Sequence, residues 1–245
     1  MVGDVGGVTA SASASPLLAN VYLHYVLDLW VTWWRGHEAH GDVIIVRFAD
    51  DFIMGFEHED DAQRLLTDLR QRLAEFGLAL HPDKTRLVEF GRHAARNRAA
   101  RGLGKPETFD FLGFTHICGK TRTGRFGLRR FTISKRLRAK LRAVKTELLR
   151  RRHLPVPEQG RWLASVVRGH FAYYAVPGNA AAAKVFREQA IWHWLRALRR
   201  RSQRSRLTWE RMNRLASRWL PPVRITHPWP SVRFDARTRG RSPVR

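Results

Sequence analysis

Between Ser15 and Trp34 the chain is largely apolar, but Asn20, His24 and Asp28 recur every four residues. That spacing stacks the three polar side chains into one stripe, so the segment reads as an amphipathic helix with one wet face. Ser15 is a capping residue and Pro16 suits the first helical position. Next comes DVIIVRFADDFIMGF, from Asp42 to Phe56. Its two apolar runs predict strands at 43–48 and 52–56, with Ala49-Asp50-Asp51 at the tip of the hairpin. Glu59, Asp60 and Asp61 then open a helix, where the backbone dipole favours negative charge. Leu65, Leu66, Leu69, Leu73 and Phe76 form its apolar face, and Gly77 ends it. Residues 78–80 read as extended, 81–84 as a turn, and 86–90 as a strand. The first half is thus helix, hairpin, helix, hairpin: an α+β unit with helices on one face of an antiparallel sheet.

Residues 91–105 are basic and rich in Gly and Ala, which predicts a loop. FDFLGFTHIC and RFGLRRFTI read as a further hairpin joined by GKTRTG. From Ser134 the pattern turns helical. Over 135–152 Leu137, Leu141, Val144 and Leu148 make a narrow apolar stripe, and nearly every other position is Lys or Arg. Further helices are predicted near 158–175, 180–201 and 208–219. The organisation expected is a loose segment at 1–14, an α+β domain at 15–130, an all-helical domain at 131–220, and a Pro- and Arg-rich tail at 221–245.

Charge changes the picture. Lys and Arg number 45 against 21 Asp and Glu in 245 residues, a formal net charge of +24. Such a surface repels itself unless a polyanion is near, so nucleic acid is the expected partner. No segment reads as a membrane span, because the polar stripe interrupts the most apolar stretch. The single cysteine, Cys118, excludes an internal disulfide and a cysteine-based zinc site. It fits a reducing compartment, and a cytoplasmic location is expected.

Two adjacent carboxylates at a tight turn repel each other unless a cation sits beside them. Asp50 and Asp51 offer hard oxygen ligands of the kind that suit Mg²⁺, which takes one or two protein carboxylates plus water and substrate oxygens. In phosphoryl transfer two such ions clamp the attacking and leaving oxygens.

The surroundings of this pair carry a resemblance. Val46-Arg47-Phe48-Ala49-Asp50-Asp51-Phe52 resembles the Tyr/Phe-Ala-Asp-Asp box of reverse transcriptases, and the group II intron-encoded reverse transcriptase/maturase family matches best. Ser15-Pro16-Leu17-Leu18-Ala19-Asn20 resembles that family's helix of the same sequence. Gly77-Leu78-Ala79-Leu80-His81-Pro82-Asp83-Lys84-Thr85 resembles its Leu-x-Leu-x-x-x-Lys-Thr box. Phe109-Asp110-Phe111-Leu112-Gly113-Phe114 resembles its Phe-x-Phe-Leu-Gly-Phe box. Less sharply, Phe131-Thr132-Ile133-Ser134-Lys135 and Gly169-His170-Phe171-Ala172-Tyr173-Tyr174 are similar to its maturase, or thumb, region. The resemblance implies a partial palm followed by a helical thumb. It also implies Mg²⁺ on Asp50 and Asp51, and Lys84 near the incoming nucleotide phosphates. Phe48 and Gly113 would lie along primer and template. Lys135, Arg136, Arg138, Lys140, Arg142 and Lys145 would contact RNA. The implied partners are a group II intron RNA and a DNA primer.

The departures from the family matter equally. Its palm has a further metal-binding aspartate upstream of the Ser-Pro-Leu-Leu helix, and here no residue matches it. Asp42 starts the strand that ends at Asp50, Asp28 lies on the helical stripe, and Asp4 is in the loose start. The family's Pro-Gln-Gly-Gly turn is replaced by Asp4-Val5-Gly6-Gly7. A truncated product or one half of a split enzyme is therefore expected, with an open sheet edge and an uncovered apolar face. On that reading RNA binding comes first. The alternatives are a polymerase completed by a separate fingers and palm fragment, and an inert relic.

Overall fold

The computed structural model describes residues 15–121, 123–202 and 206–228. The segment expected to be loose, with Asp4-Val5-Gly6-Gly7, and the tail from 229 lie outside the described residues. Two compact units are present; the first ends at Val88 and the second begins at Glu89. The fold is mixed α+β, but the strands form two small antiparallel sheets, one of two strands and one of three.

In the first unit a helical path runs through α1 (Ser15–Leu23), a π-helical turn (His24–Asp28) and α2 (Leu29–His37). The hairpin of β1 (Val43–Phe48) and β2 (Asp51–Phe56) follows, in register from Val43 opposite Phe56 to Phe48 opposite Asp51. Then comes α3 (Glu59–Glu75), which opens on the three predicted acids. Its end is fixed by Gly77 at φ +66°. The Leu78 N–H donates to the Leu73 carbonyl at 2.9 Å and the Gly77 N–H to that of Ala74 at 3.0 Å, the paired bonds of a Schellman stop. Leu65, Leu69 and Leu73 bury against Val26, Leu27, Val31, Trp34 and Val43 to make this core, whereas Phe76, expected on the same face, lies past the end of α3 and is exposed.

The expected strand at 86–90 does not form. A strand exists only by pairing, and neither sheet offers this segment a neighbour. The expected loop at 91–105 contains a helix instead, α4 (Ala94–Ala100). Its AARNRAA sequence consists mostly of strong helix formers, and Gly102 ends it with the same stop geometry as Gly77.

The second unit continues with β3 (Phe109–Phe111), β4 (Phe114–Lys120) and β5 (Phe126–Thr132). Four helices follow: α5 (Ser134–Arg150), α6 (Val156–Tyr174), α7 (Ala180–Arg199) and α8 (Trp209–Trp219). Compactness divides the chain earlier than the change of composition near residue 130, because β5 runs almost directly into α5. The wholly buried Asn179 strengthens that junction. Its Oδ1 accepts the Thr132 N–H at 3.1 Å, and its Nδ2 donates to Thr132 Oγ1 and the Tyr174 carbonyl, both at 2.8 Å. Val144 and Leu148 of α5 bury against α6 and α7, where Leu163, Phe186, Ile191 and Trp194 form the centre. Trp194 Nε1 donates to Gln159 Oε1 at 3.0 Å, so a buried amide has its partner. The chain after α8 folds back: Arg187 donates to the Pro221 carbonyl, and His227 meets that of Ala172 at 2.8 Å. No described helix is long and apolar enough to cross a membrane.

Candidate nucleic-acid and metal site

At the hairpin tip only Ala49 and Asp50 separate the strands, and Asp51 already pairs with Phe48. Ala49 sits at φ +54°, a left-handed conformation that costs a residue with a Cβ about 1 kcal/mol. Arg47 supports it. This guanidinium donates to Asp28 through Nε at 2.7 Å and Nη2 at 2.6 Å, and through Nη1 to Asn20 Oδ1 and the Ala49 carbonyl, both at 2.9 Å. The polar stripe read as a wet face is therefore a dock for the hairpin. The hydrogen bond from Arg47 holds the Asp28 carboxyl below the usual carboxylate range, against the opposing pull of burial. Sequence reasoning missed this clamp. Its signal was a lone arginine in an apolar strand preceded by a stripe of complementary polar groups.

Asp50 and Asp51 are both exposed. Asp28 is engaged by Arg47, and Asp42 stands at the base of the hairpin, where its carbonyl accepts the Glu57 N–H at 3.1 Å. Among the described residues the one group of three or more His, Cys, Asp or Glu able to hold a metal is His40, Asp60 and Asp61. Asp50 and Asp51 join no such group. Their chemistry still fits a hard divalent cation that completes its shell with water and phosphate oxygens.

The His40 group is a structural clamp. Asp61 is fully buried, which pushes its carboxyl up. The Gly41 and His40 N–H groups, with Arg64, outweigh that and hold it below its usual range. Those donors already use both carboxylate oxygens.

Lys84 is exposed on the turn after α3, whose backbone closes through the Thr85 N–H to the His81 carbonyl at 3.0 Å. Phe48 is 63% exposed on the outward side of β1, with Ile44 and Val46. Leu17, Val21, Tyr25, Leu29 and Trp33 repeat every four residues along the helical path and are exposed too. The hairpin thus carries apolar surface that no described residue covers, and each strand has an unpaired outer edge among the described residues.

In the second unit Leu112 (φ +45°) and Gly113 (φ +82°) make a two-residue turn between β3 and β4. Both left-handed angles match the tight hairpin turn that favours glycine. A Cβ on Gly113 would lie 2.9 Å from Tyr174 Oη and 3.4 Å from Arg136 Nη1, so the glycine also admits those side chains. Tyr173 Oη donates to the Leu112 carbonyl at 2.7 Å.

On α5 all six predicted RNA-facing residues, Lys135, Arg136, Arg138, Lys140, Arg142 and Lys145, are exposed. Glu147, the helix's acid, is engaged by Arg150 and Arg151. Among the described residues no acidic side chain pairs with any of the six. Among the aromatic residues of α6 and α7, Phe171 and Trp194 are core. Trp192 is exposed beneath Arg196, whose guanidinium lies 4.2 Å from the ring centre.

Residues 9–116 match the family model described as reverse transcriptase (RNA-dependent DNA polymerase). The match covers a little under half of the chain. It begins at Thr9, inside the segment expected to be loose, and ends in β4. Domains of that family act on nucleic acid and generally use divalent metal ions. No curated protein is similar enough to this chain to count as a match.

Proposed function

We propose that this chain is a group II intron-type reverse transcriptase/maturase whose helical half binds intron RNA and whose hairpin half is incomplete for catalysis by itself. The cationic face of α5 carries the reading. Its apolar stripe is committed to the core, and the remaining surface presents six cations with which no acid among the described residues pairs. Phosphates are the natural counter-charge, and their capture releases condensed cations. In the hairpin half, Asp50 and Asp51 would hold Mg²⁺, which when bound neutralises charge on transferring phosphoryl groups. Lys84 would face the nucleotide phosphates, and Phe48 and Gly113 would lie along template and DNA primer. Among the described residues no third acid joins Asp50 and Asp51, and a partial ligand set ranks RNA binding above polymerisation.

A second reading is a polymerase completed by a separate fingers and palm segment. The uncovered apolar side of α1, α2 and β1 favours it, since a further strand and its carboxylate would cover that side.

Primer extension on an RNA template with Mg²⁺, using the whole chain beside Asp50→Ala, tests both. The expected result is bound RNA and no extension by either protein. Extension that vanishes in Asp50→Ala would show that the metal site is completed within the chain. Failure to bind RNA would remove the first reading.

A further inference from the structure

A cavity of about 570 Å³ opens in the second unit between α5 and α6, beside the end of β5. Its size suits a small organic ligand. Arg136 and Lys140 stand on the α5 side, and Ser165, Gly169, His170 and Tyr174 on the α6 side. Leu137 and Val166 add apolar wall.

His170 is the informative residue. It is 6% exposed, and its ring is stacked between Phe186, at 3.6 Å between centroids, and Tyr174, at 4.6 Å. Its Nε2 is buried and has no hydrogen-bond partner. A buried nitrogen without a partner, on a residue that lines the cavity, is a hydrogen-bonding group that an entering ligand can satisfy. Burial first, and the charge of Lys140 second, lower its pKa to about 4. The ring is therefore neutral at pH 7 and can exchange a hydrogen bond without adding a buried charge.

We propose that this cavity receives one unpaired nucleotide of a bound RNA strand. Arg136 and Lys140 take the phosphate, the apolar walls and the Tyr174 ring take the faces of the base, and His170 Nε2 bonds its edge or sugar. Unpaired bases are splayed onto aromatic and apolar surfaces in this way, and a paired base cannot enter. The proposal rests on the reading of α5 as an RNA surface and adds selectivity for single strands.

Gly169 supplies the test. A Cβ there meets nothing within 4 Å, so Gly169→Leu fills open cavity, and the change favours the helix. Ser165→Leu fills the same space from the next turn and guards against a folding artefact in either variant. Binding of an unpaired RNA of about 12 nucleotides and of a duplex of the same length would be measured on the full chain. The expected result is single-strand affinity at least about tenfold lower in both variants, as loss of one base contact implies, with duplex affinity and thermal midpoint held. Unchanged single-strand affinity in the folded variants, or equal losses for both RNAs, would overturn the pocket alone. Absence of binding to either RNA by the wild type would overturn the α5 reading and the pocket with it.

Discussion

Replacing Lys135, Arg138 and Arg142 together by Gln is expected to weaken RNA binding about 100-fold at roughly 0.1 M salt. Each phosphate contact on a single strand adds about 0.7 to the slope of log affinity against log salt. Three lost contacts flatten that slope by about 2, which near 0.1 M amounts to about two decades. The fold should be unaffected, since the three side chains are exposed and Gln is nearly as good a helix former. An RNA titration across several salt concentrations checks both the affinity and the slope. A wild-type affinity indifferent to salt would contradict the assignment of α5.

Arg47→Ala should cost the hairpin about 2–4 kcal/mol. The side chains of the pair are 14% and 28% exposed, so solvent screens them only in part. Without Arg47 the Asp28 carboxylate, Asn20 Oδ1 and the Ala49 carbonyl all lose a donor, and removing one partner of a largely buried pair is the expensive case. The effect depends on pH with a definite sign. The folded-state pKa of Asp28 is depressed, so the stabilisation is fully present above the unfolded value of about 3.9 and fades as pH falls through the lower folded value. Hydrogen exchange of peptides spanning 43–56 should show a large loss of protection in Arg47→Ala at pH 7. The gap between variant and wild type should narrow below about pH 4. Equal protection at pH 7 would refute the clamp.

What could be read from the sequence depended on how local its cause was. The amphipathic helices were legible because each carries its own periodicity, as with Leu65, Leu69 and Leu73. The stop at Gly77 and a tight tip at Ala49-Asp50-Asp51 were legible because turn chemistry is local as well, although Asp51 belongs to β2 and only Ala49 and Asp50 make the turn. Residues 86–90 misled because their β-type composition says nothing about whether a neighbouring strand exists. The helix at 94–100 was hidden by flanking glycines that proved to be its boundaries. The adjacent acids of the candidate metal site, Asp50 and Asp51, were visible as a motif. The Arg47 clamp needed residues 19 and 27 positions apart to meet, and the α5–α6 cavity needed two helices to be placed.

The outward apolar side chains of the first unit have a thermal consequence. Heat capacity rises on unfolding because apolar groups enter water, by about 12–15 cal/mol/K per residue in ordinary domains. Leu17, Leu18, Tyr25, Trp33 and Phe48 are already largely in water when the unit is folded. Melting this unit therefore adds less new apolar hydration per residue than melting the second, whose aromatic and aliphatic residues are more fully enclosed. Its stability curve is correspondingly flatter, with a weaker optimum and a smaller response to both warming and cooling.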